Sequence, residues 1–462
     1  MQSVADAALL VGVDIGTTFC KAAVVSPDGC EVGHGRARTP WKNGDEGTEI
    51  DPGAFVDTAT HAVMDALRGI EGRVVGLGIT SMAETGVLVD EHGSPVVPSV
   101  AWHDPRGAEQ ARRIAELLGG GRTAAITGVP VGPKTSFAKY LWMRDTRPEA
   151  ARGRLWLSVA EWVAHSLGAR AVAELSLASR TGWLDIAQGR WWEEGLRAFQ
   201  IEPALLPEPV QAGAPLGRAG ADLGRIRGAV LTVGGHDHLC AAVGAGALRE
   251  GDVLDSCGTA EGFVRSSKRL PDVELCTRNG VTVSRHVLPG RFALLGGLRS
   301  GLILERSFEA LGIQSPSERR KLDAEALQLP PSPPEVVEAL RLPVHGGFHD
   351  VPPGMSAAEL RRAVLDSVVA RGKHAMEVIE SQAGPATRII VTGGGTESSA
   401  FMTLKKRSLG DLLQPDVVEA GARGAALLAG VAQGTYRDVF DVPVPALRPL
   451  SSPGENRGGV LR

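Results

Sequence analysis

The residues whose type and spacing best suit them to chemistry are carboxylates that end short apolar runs. Asp237 follows Val230-Leu231-Thr232-Val233-Gly234-Gly235-His236 and precedes an Ala-rich stretch running to Gly246. The pattern predicts a β-branched strand, a Gly-Gly turn and a helix that begins at Asp237. A carboxylate there lies beside unpaired backbone N–H groups and the positive end of a helix dipole, and is expected to stay ionised. Two roles fit it, a plain helix cap or a general base in a cleft. His236 and His238 flank it, but an i, i+2 pair points in different directions and no Cys or carboxylate cluster completes a metal set. They read as structural or substrate-contacting histidines.

Three Gly-rich turns leave strand ends: Gly16-Thr17-Thr18, Gly258-Thr259 and Gly393-Gly394-Gly395. Glycine lets backbone N–H groups approach an anion and threonine adds hydroxyl donors, so such turns can cradle phosphates. Each alone is equally an ordinary tight turn; Lys21 is either a cation for phosphates or a solvated strand residue. Glu84, Trp102, Asp104 and Arg106 combine carboxylates with an aromatic plane, as a sugar site needs. The competing reading makes Trp102 core and Asp104–Arg106 a local salt bridge. The segment Gly128-Val129-Pro130-Val131-Gly132-Pro133-Lys134-Thr135 is no P-loop, because Pro133 stands where a backbone donor is required. Gly244 to Gly246 lacks the spacing and the acidic partner of a dinucleotide fingerprint.

The elements that must position these groups follow from periodicity. A buried strand from Ala8 into Gly16-Thr17-Thr18 and a strand over residues 21–26 predict a hairpin carrying Asp14 at its tip, with a third strand over residues 30–38. Residues 51–67 have helical spacing, and residues 73–80 form a strand that delivers Glu84. Residues 108–206 read as mainly helical. Val13-Asp14-Ile15-Gly16-Thr17 and Leu254-Asp255-Ser256-Cys257-Gly258-Thr259 form a weak internal repeat, which suggests two related domains facing one cleft. A long helix is expected over residues 358–381, a strand over residues 388–392, and an irregular tail beyond about Arg437.

Composition bounds the rest. The 462 residues carry a formal charge of -4 with 22% charged residues and no cationic run, so nucleic acid is not an expected partner. The five cysteines show no CxxC pair, which fits reduced thiols in a cytoplasm. The first residues are apolar but include Asp6 and no basic stretch, so no signal peptide is read. No apolar run approaches the roughly 18 residues needed to span a bilayer, so no membrane partner is expected either.

Taken in order, Asp14-x-Gly16-Thr17-Thr18-x-x-Lys21, Trp102-x-Asp104-x-Arg106, Gly234-Gly235-x-Asp237, Asp255-x-x-Gly258-Thr259 and Gly393-Gly394-Gly395 resemble the FGGY carbohydrate kinases. The likeness runs from about Leu10 to about Gly434 and takes in Trp183-Leu184-Asp185, Trp191-Trp192 and the closing Glu419-Ala420-x-x-x-Gly424-Ala425-Ala426. It implies an α/β fold of two ribonuclease-H-like domains, of the actin and heat-shock ATPase type, with mixed β-sheets flanked by helices and a deep interdomain cleft. The expected division is an N-terminal sugar kinase domain over residues 1–229, a C-terminal nucleotide-binding domain over residues 230–436, and a tail over residues 437–462. The implied activity is transfer of the γ-phosphate of MgATP to a primary hydroxyl of a small ketose or polyol, with Asp237 as base. Asp14 would organise Mg²⁺ through water. Gly16, Thr17, Thr18, Lys21, Gly258 and Thr259 would line the phosphates, and Gly394, Gly395 and Ser398 would border the adenosine. Glu84, Trp102, Asp104 and His236 complete the expected substrate side, and a homodimer is compatible with the chain. Ala83, Ser398 and the short Leu342-Pro343-Val344-His345-Gly346-Gly347 depart from the family pattern and leave the sugar open. The alternative is an ATP-gated sugar-binding regulator without turnover; a chaperone-like ATPase would need a peptide-binding domain.

Overall fold

The computed structural model describes residues 7–45, 47–258, 260–339 and 354–450. Thr259, the segment Leu342 to Gly347 and the last twelve residues fall outside them. The chain folds into two compact units that are not contiguous in sequence. The first holds residues 1–250, 266–294 and 417–445; the second holds residues 251–265, 295–416 and 446–462.

In the first unit, the predicted hairpin forms as β1 (Ala8–Ile15) and β2 (Phe19–Val25), antiparallel, followed by β3 (Glu31–Arg38). Helix α1 (Pro52–Ala66) starts where Asp51 accepts from the Gly53 N–H and Pro52 occupies the first turn. Its Phe55, Ala59, Ala62, Val63 and Ala66 recur every three or four residues and are buried. Strand β4 (Arg73–Ser81) lies parallel to β1, and β6 (Val230–His236) lies parallel to β4, with β5 (Gly217–Arg218) on the outer edge.

Residues from 230 onward are expected to open the second domain, yet β6 is hydrogen-bonded to β4 and lies within the first sheet. Strand periodicity cannot report a partner some 150 residues away, so contiguity was the simpler expectation.

The Gly-Gly expected as a turn lies inside β6. Register shifts between Val233 and Gly235, and Gly235 takes φ +94, so the pair forms a bulge rather than a reversal. A Cβ on Gly235 would meet Ser176 Oγ at 2.5 Å, which leaves only glycine room there.

Helix α2 (Asp237–Gly244) follows directly, and the C-terminal helix α5 (Ala420–Gln433) packs on α2, β1, β4 and β6. Its small residues allow backbone-to-backbone approach: a Cβ on Gly12 would fall 1.8 Å from the Ala422 carbonyl oxygen, and one on Gly78 1.9 Å from that of Ala425.

Residues 108–206 contain more strand than expected. Leu155–Ser158 pairs with Gly86–Val89, and Leu184–Asp185 with Arg190–Trp191. These runs are too short for period-2 alternation to register, and the first is fixed by a partner remote in sequence. Trp183, from the Trp-Leu-Asp motif, is fully buried among Phe137, Tyr140 and Trp156.

The second unit repeats the opening arrangement. Strand β7 (Asp252–Cys257) pairs antiparallel with β8 (Glu261–Ser267) and parallel with β9 (Arg388–Thr392), as β1 does with β2 and β4. The expected long helix is α3 (Ala357–Ala383), opened by a Ser356–Glu359 capping box. Helix α4 (Ser399–Leu409) leads to β10 (Leu412–Pro415), parallel to β9. The described part of the tail, up to Leu450, is irregular except for β11 (Leu447–Pro449), which pairs with β10. No helix among the described residues is long and apolar enough to cross a membrane.

Candidate functional site

Register in the first sheet gathers the chemistry at one edge. Asp14 on β1 pairs with Thr80 on β4, and Thr80 pairs with Gly235 on β6. The groups that follow these positions therefore emerge together at the C-terminal ends of three parallel strands: Asp14 itself, the turn ending in Glu84, and Asp237. Thr80 Oγ1 donates to the Gly235 carbonyl at 2.5 Å, and the Met82 N–H donates to Ile15 O at 3.0 Å. Behind the bulge, the His236 N–H donates to Ser176 Oγ, whose hydroxyl donates in turn to the buried Glu174 carboxylate.

Asp237 is the first residue of α2, and His236 occupies the cap position without a side-chain cap bond. Asp237 Oδ1 accepts from the His238 N–H at 2.7 Å. The expectation of a firmly ionised carboxylate is corrected: burial outweighs that N–H donor, the nearby Glu84 adds to it, and the Asp237 pKa rises to about 7. Burial, then Asp237 itself, also raises Asp14 to about 7, against the opposing pull of Lys21. Dipole and cap reasoning omitted desolvation, which is the larger effect when two carboxyls share one recess. Burial keeps His236 and His238 below the ordinary imidazole value, so both are neutral near pH 7.

Around the hairpin tip, Trp102 Nε1 donates to Thr17 Oγ1 at 2.9 Å and Trp41 Nε1 to Thr17 O at 2.7 Å. Gly16 N–H closes the turn on Phe19 O, leaving Thr18 exposed. Lys21, paired in register with Asp14, bridges to Glu419 at 2.8 Å. Asp104 has both oxygens occupied, by the Thr48 N–H and by the Arg106 N–H and guanidinium. Burial works against its charge, but these donors hold its pKa below the usual value. Of the two readings of Asp104, the local ion pair describes its contacts.

Glu84 is buried with φ +65, a conformation rare outside glycine. Its Oε1 accepts from Arg180 Nε at 3.1 Å and Nη2 at 2.6 Å. Sequence reasoning passed over Arg180. The available signal was an arginine in Ser179-Arg180-Thr181-Gly182, just ahead of the apolar Trp183-Leu184.

In the second unit, the Gly393 to Gly395 turn lies against the end of β7, where a Cβ on Gly393 would be 2.6 Å from Cys257 O. This brings Gly258 together with Gly394 and Gly395. Gly394 is exposed with open space at its Cα. Ser398 caps α4 by accepting from Phe401 N–H and donates to Asp323 Oδ2 at 3.2 Å. Asp255 takes in β7 the place of Asp14 in β1, but the buried Lys405 ammonium sits between it and Glu261, within 3.4 Å of Cys257 Sγ. Lys405 therefore occupies the one cluster of metal-binding side-chain types found among the described residues.

A sequence profile of the N-terminal domain of the FGGY family of carbohydrate kinases matches residues 9–244, and the C-terminal domain profile matches residues 323–433. The chain belongs to the FGGY family of carbohydrate kinases. Within this family it is similar to a xylulose kinase of Streptomyces coelicolor, 30% identical over 93% of this chain and 89% of the relative. It is also similar to a glycerol kinase of Trichlorobacter lovleyi, 28% identical over 93% of this chain and 91% of that one. The fold is shared with the gluconate kinase of Lactobacillus acidophilus, at TM-score 0.84 and 17% identity, covering 96% and 93% of the two chains. The resemblance stated from ordered motifs and the α/β fold class inferred from it both stand.

Proposed function

We propose that this FGGY kinase transfers the γ-phosphate of MgATP to a primary hydroxyl of a small ketose or polyol. The observation that carries the reading is the convergence of Asp237, Asp14 and Glu84 at one strand edge, with Asp237 raised to about 7. A carboxyl whose pKa is raised by burial is better matched to taking a hydroxyl proton than an ordinary aspartate. The sugar oxygen bonds to the γ-phosphorus, its proton passes to Asp237, the bond to the β-phosphate oxygen breaks, and ADP leaves.

Asp14 Oδ1 is buried with no hydrogen-bond partner among the described residues, and two carboxyls share the recess. That donor set fits a hydrated divalent cation, which when bound would neutralise charge on the phosphates. Gly16, Thr17, Thr18 and Lys21 would contact phosphates, and Gly258 and Thr259 are the further phosphate-binding candidates. Gly394, Gly395 and Ser398 would border the adenosine. Glu84 and His236 would contact sugar hydroxyls, and Trp102 would offer its ring to a C–H face. Asp104 would act by anchoring the loop that carries Trp102.

The deciding experiment is ADP release measured against a panel of ketoses, tetritols, pentitols and sugar acids. Sugar-dependent release supports the kinase. Nucleotide and sugar binding with no release on any member would instead favour a regulator, for which no observation speaks at present.

A further inference from the structure

Arg180 has no part in the scheme above, yet it is buried at its centre. Its Nε and Nη2 converge on Glu84 Oε1, and Nη1 donates to Thr282 Oγ1 at 2.7 Å. Among the described residues Glu84 Oε2 takes no hydrogen bond, so that oxygen stays available to a hydroxyl donor. The turn that presents Glu84 is held from two sides: Ser136 Oγ donates to the Glu84 carbonyl at 2.9 Å, while the side chain is clamped by the guanidinium. A left-handed non-glycine residue persists only where its surroundings over-determine it, and here the clamp supplies that constraint.

The charges in the recess point the same way. Asp14, Glu84 and Asp237 supply three carboxyls; Arg180 is engaged by one of them, and Lys134 acts on His236. An incoming sugar carboxylate would meet three acids and a guanidinium already directed elsewhere. An uncharged polyol or ketose brings no charge into the recess and can donate a hydroxyl to Glu84 Oε2.

We infer that Arg180 is a positioning residue that fixes Glu84 as a one-sided hydroxyl acceptor and thereby selects uncharged substrates over sugar acids. The inference rests on the kinase reading and names its substrate class.

The test compares wild type with Arg180→Gln, Arg180→Lys, Glu84→Gln and the Arg180→Gln/Glu84→Gln double variant, using matched polyols, ketoses and sugar acids. In wild type, kcat/KM favours the uncharged members. Arg180→Gln raises sugar KM by about tenfold or more while ATP KM changes less than about twofold. Arg180→Lys falls between, and the double variant is no worse than the poorer single one, because both remove the same contact. A wild-type preference for sugar acids overturns the substrate class. Equal losses for sugar and ATP in step with a lowered melting temperature, or additive single effects, overturn the positioning role. If wild type turns over no sugar, the kinase reading falls, and calorimetric binding of uncharged sugars to wild type and Arg180→Gln still decides the clamp: equal affinity overturns it, a loss of about tenfold sustains it.

Discussion

His236 Nε2 lies 3.2 Å from Asp237 Oδ1, and His236 Nδ1 is buried without a partner among the described residues. Burial holds the imidazole neutral, so the ring sets no positive charge beside the carboxylate. The proposed base is thus flanked by an uncharged ring from the residue immediately before it.

Asp237→Asn preserves size and hydrogen bonding but removes basicity. It is expected to lower kcat by about 10²–10⁴-fold while nucleotide affinity stays near wild type. Sugar phosphorylation close to the wild-type rate would remove Asp237 from the base role. His236→Gln should cost less, on the order of tenfold, because it replaces only a neutral neighbour of that carboxylate.

Glu161 provides a pH test separate from catalysis. Burial lifts its pKa from 4.5 to about 8, against donors from the Ser158 and Glu174 N–H groups. A carboxyl raised in the folded state binds more protons there than in the unfolded chain. Its stabilisation is full below the unfolded value and is lost as pH rises through the folded one. The melting temperature should therefore fall between about pH 5 and about pH 8.5. Glu161→Gln should make that fall shallower without abolishing it, because Glu174, raised by burial to about 7, titrates in the same direction. An unchanged slope would show that Glu161 ionises normally.

Gly78→Ala places a methyl group where the Ala425 carbonyl oxygen stands 1.9 Å away, and must push α5 off β4. A loss of roughly 1–3 kcal/mol in urea unfolding, or failure to fold, is expected. Gly44→Ala, where nothing lies within 4 Å, is the control and should stay near wild type.

Lys405→Met leaves the Asp255 and Glu261 carboxyls facing each other in the core without their cation. A destabilisation of about 3–5 kcal/mol is expected. Replacing all three by apolar residues of similar volume should recover much of it. Unfolding midpoints of the two variants check this directly.

The strand-borne part of the candidate site was legible as strand ends in the sequence. Asp14, Glu84 and Asp237 each follow an apolar run long enough to read as a strand, and the β1–β2 hairpin and α3 appear close to where their patterns place them. What escaped depends on long-range pairing. Nothing local marks the Gly234-Gly235 bulge as a bulge, since its register is set by β4. Arg180 was missed because an isolated arginine looks solvent-facing until its acid, 96 residues earlier, is brought beside it. Burial also turned the expected ionised Asp237 into a carboxyl near neutrality, and no one-dimensional pattern reports desolvation.

Helix α5 covers the glycine-lined face of β1 and β4, although some 340 residues separate Ser81 at the end of β4 from Ala420 at its start. On the ribosome, the first strands emerge long before the helix that shields them. Their apolar face must wait while some 340 further residues are made, and until then it is open to off-pathway association.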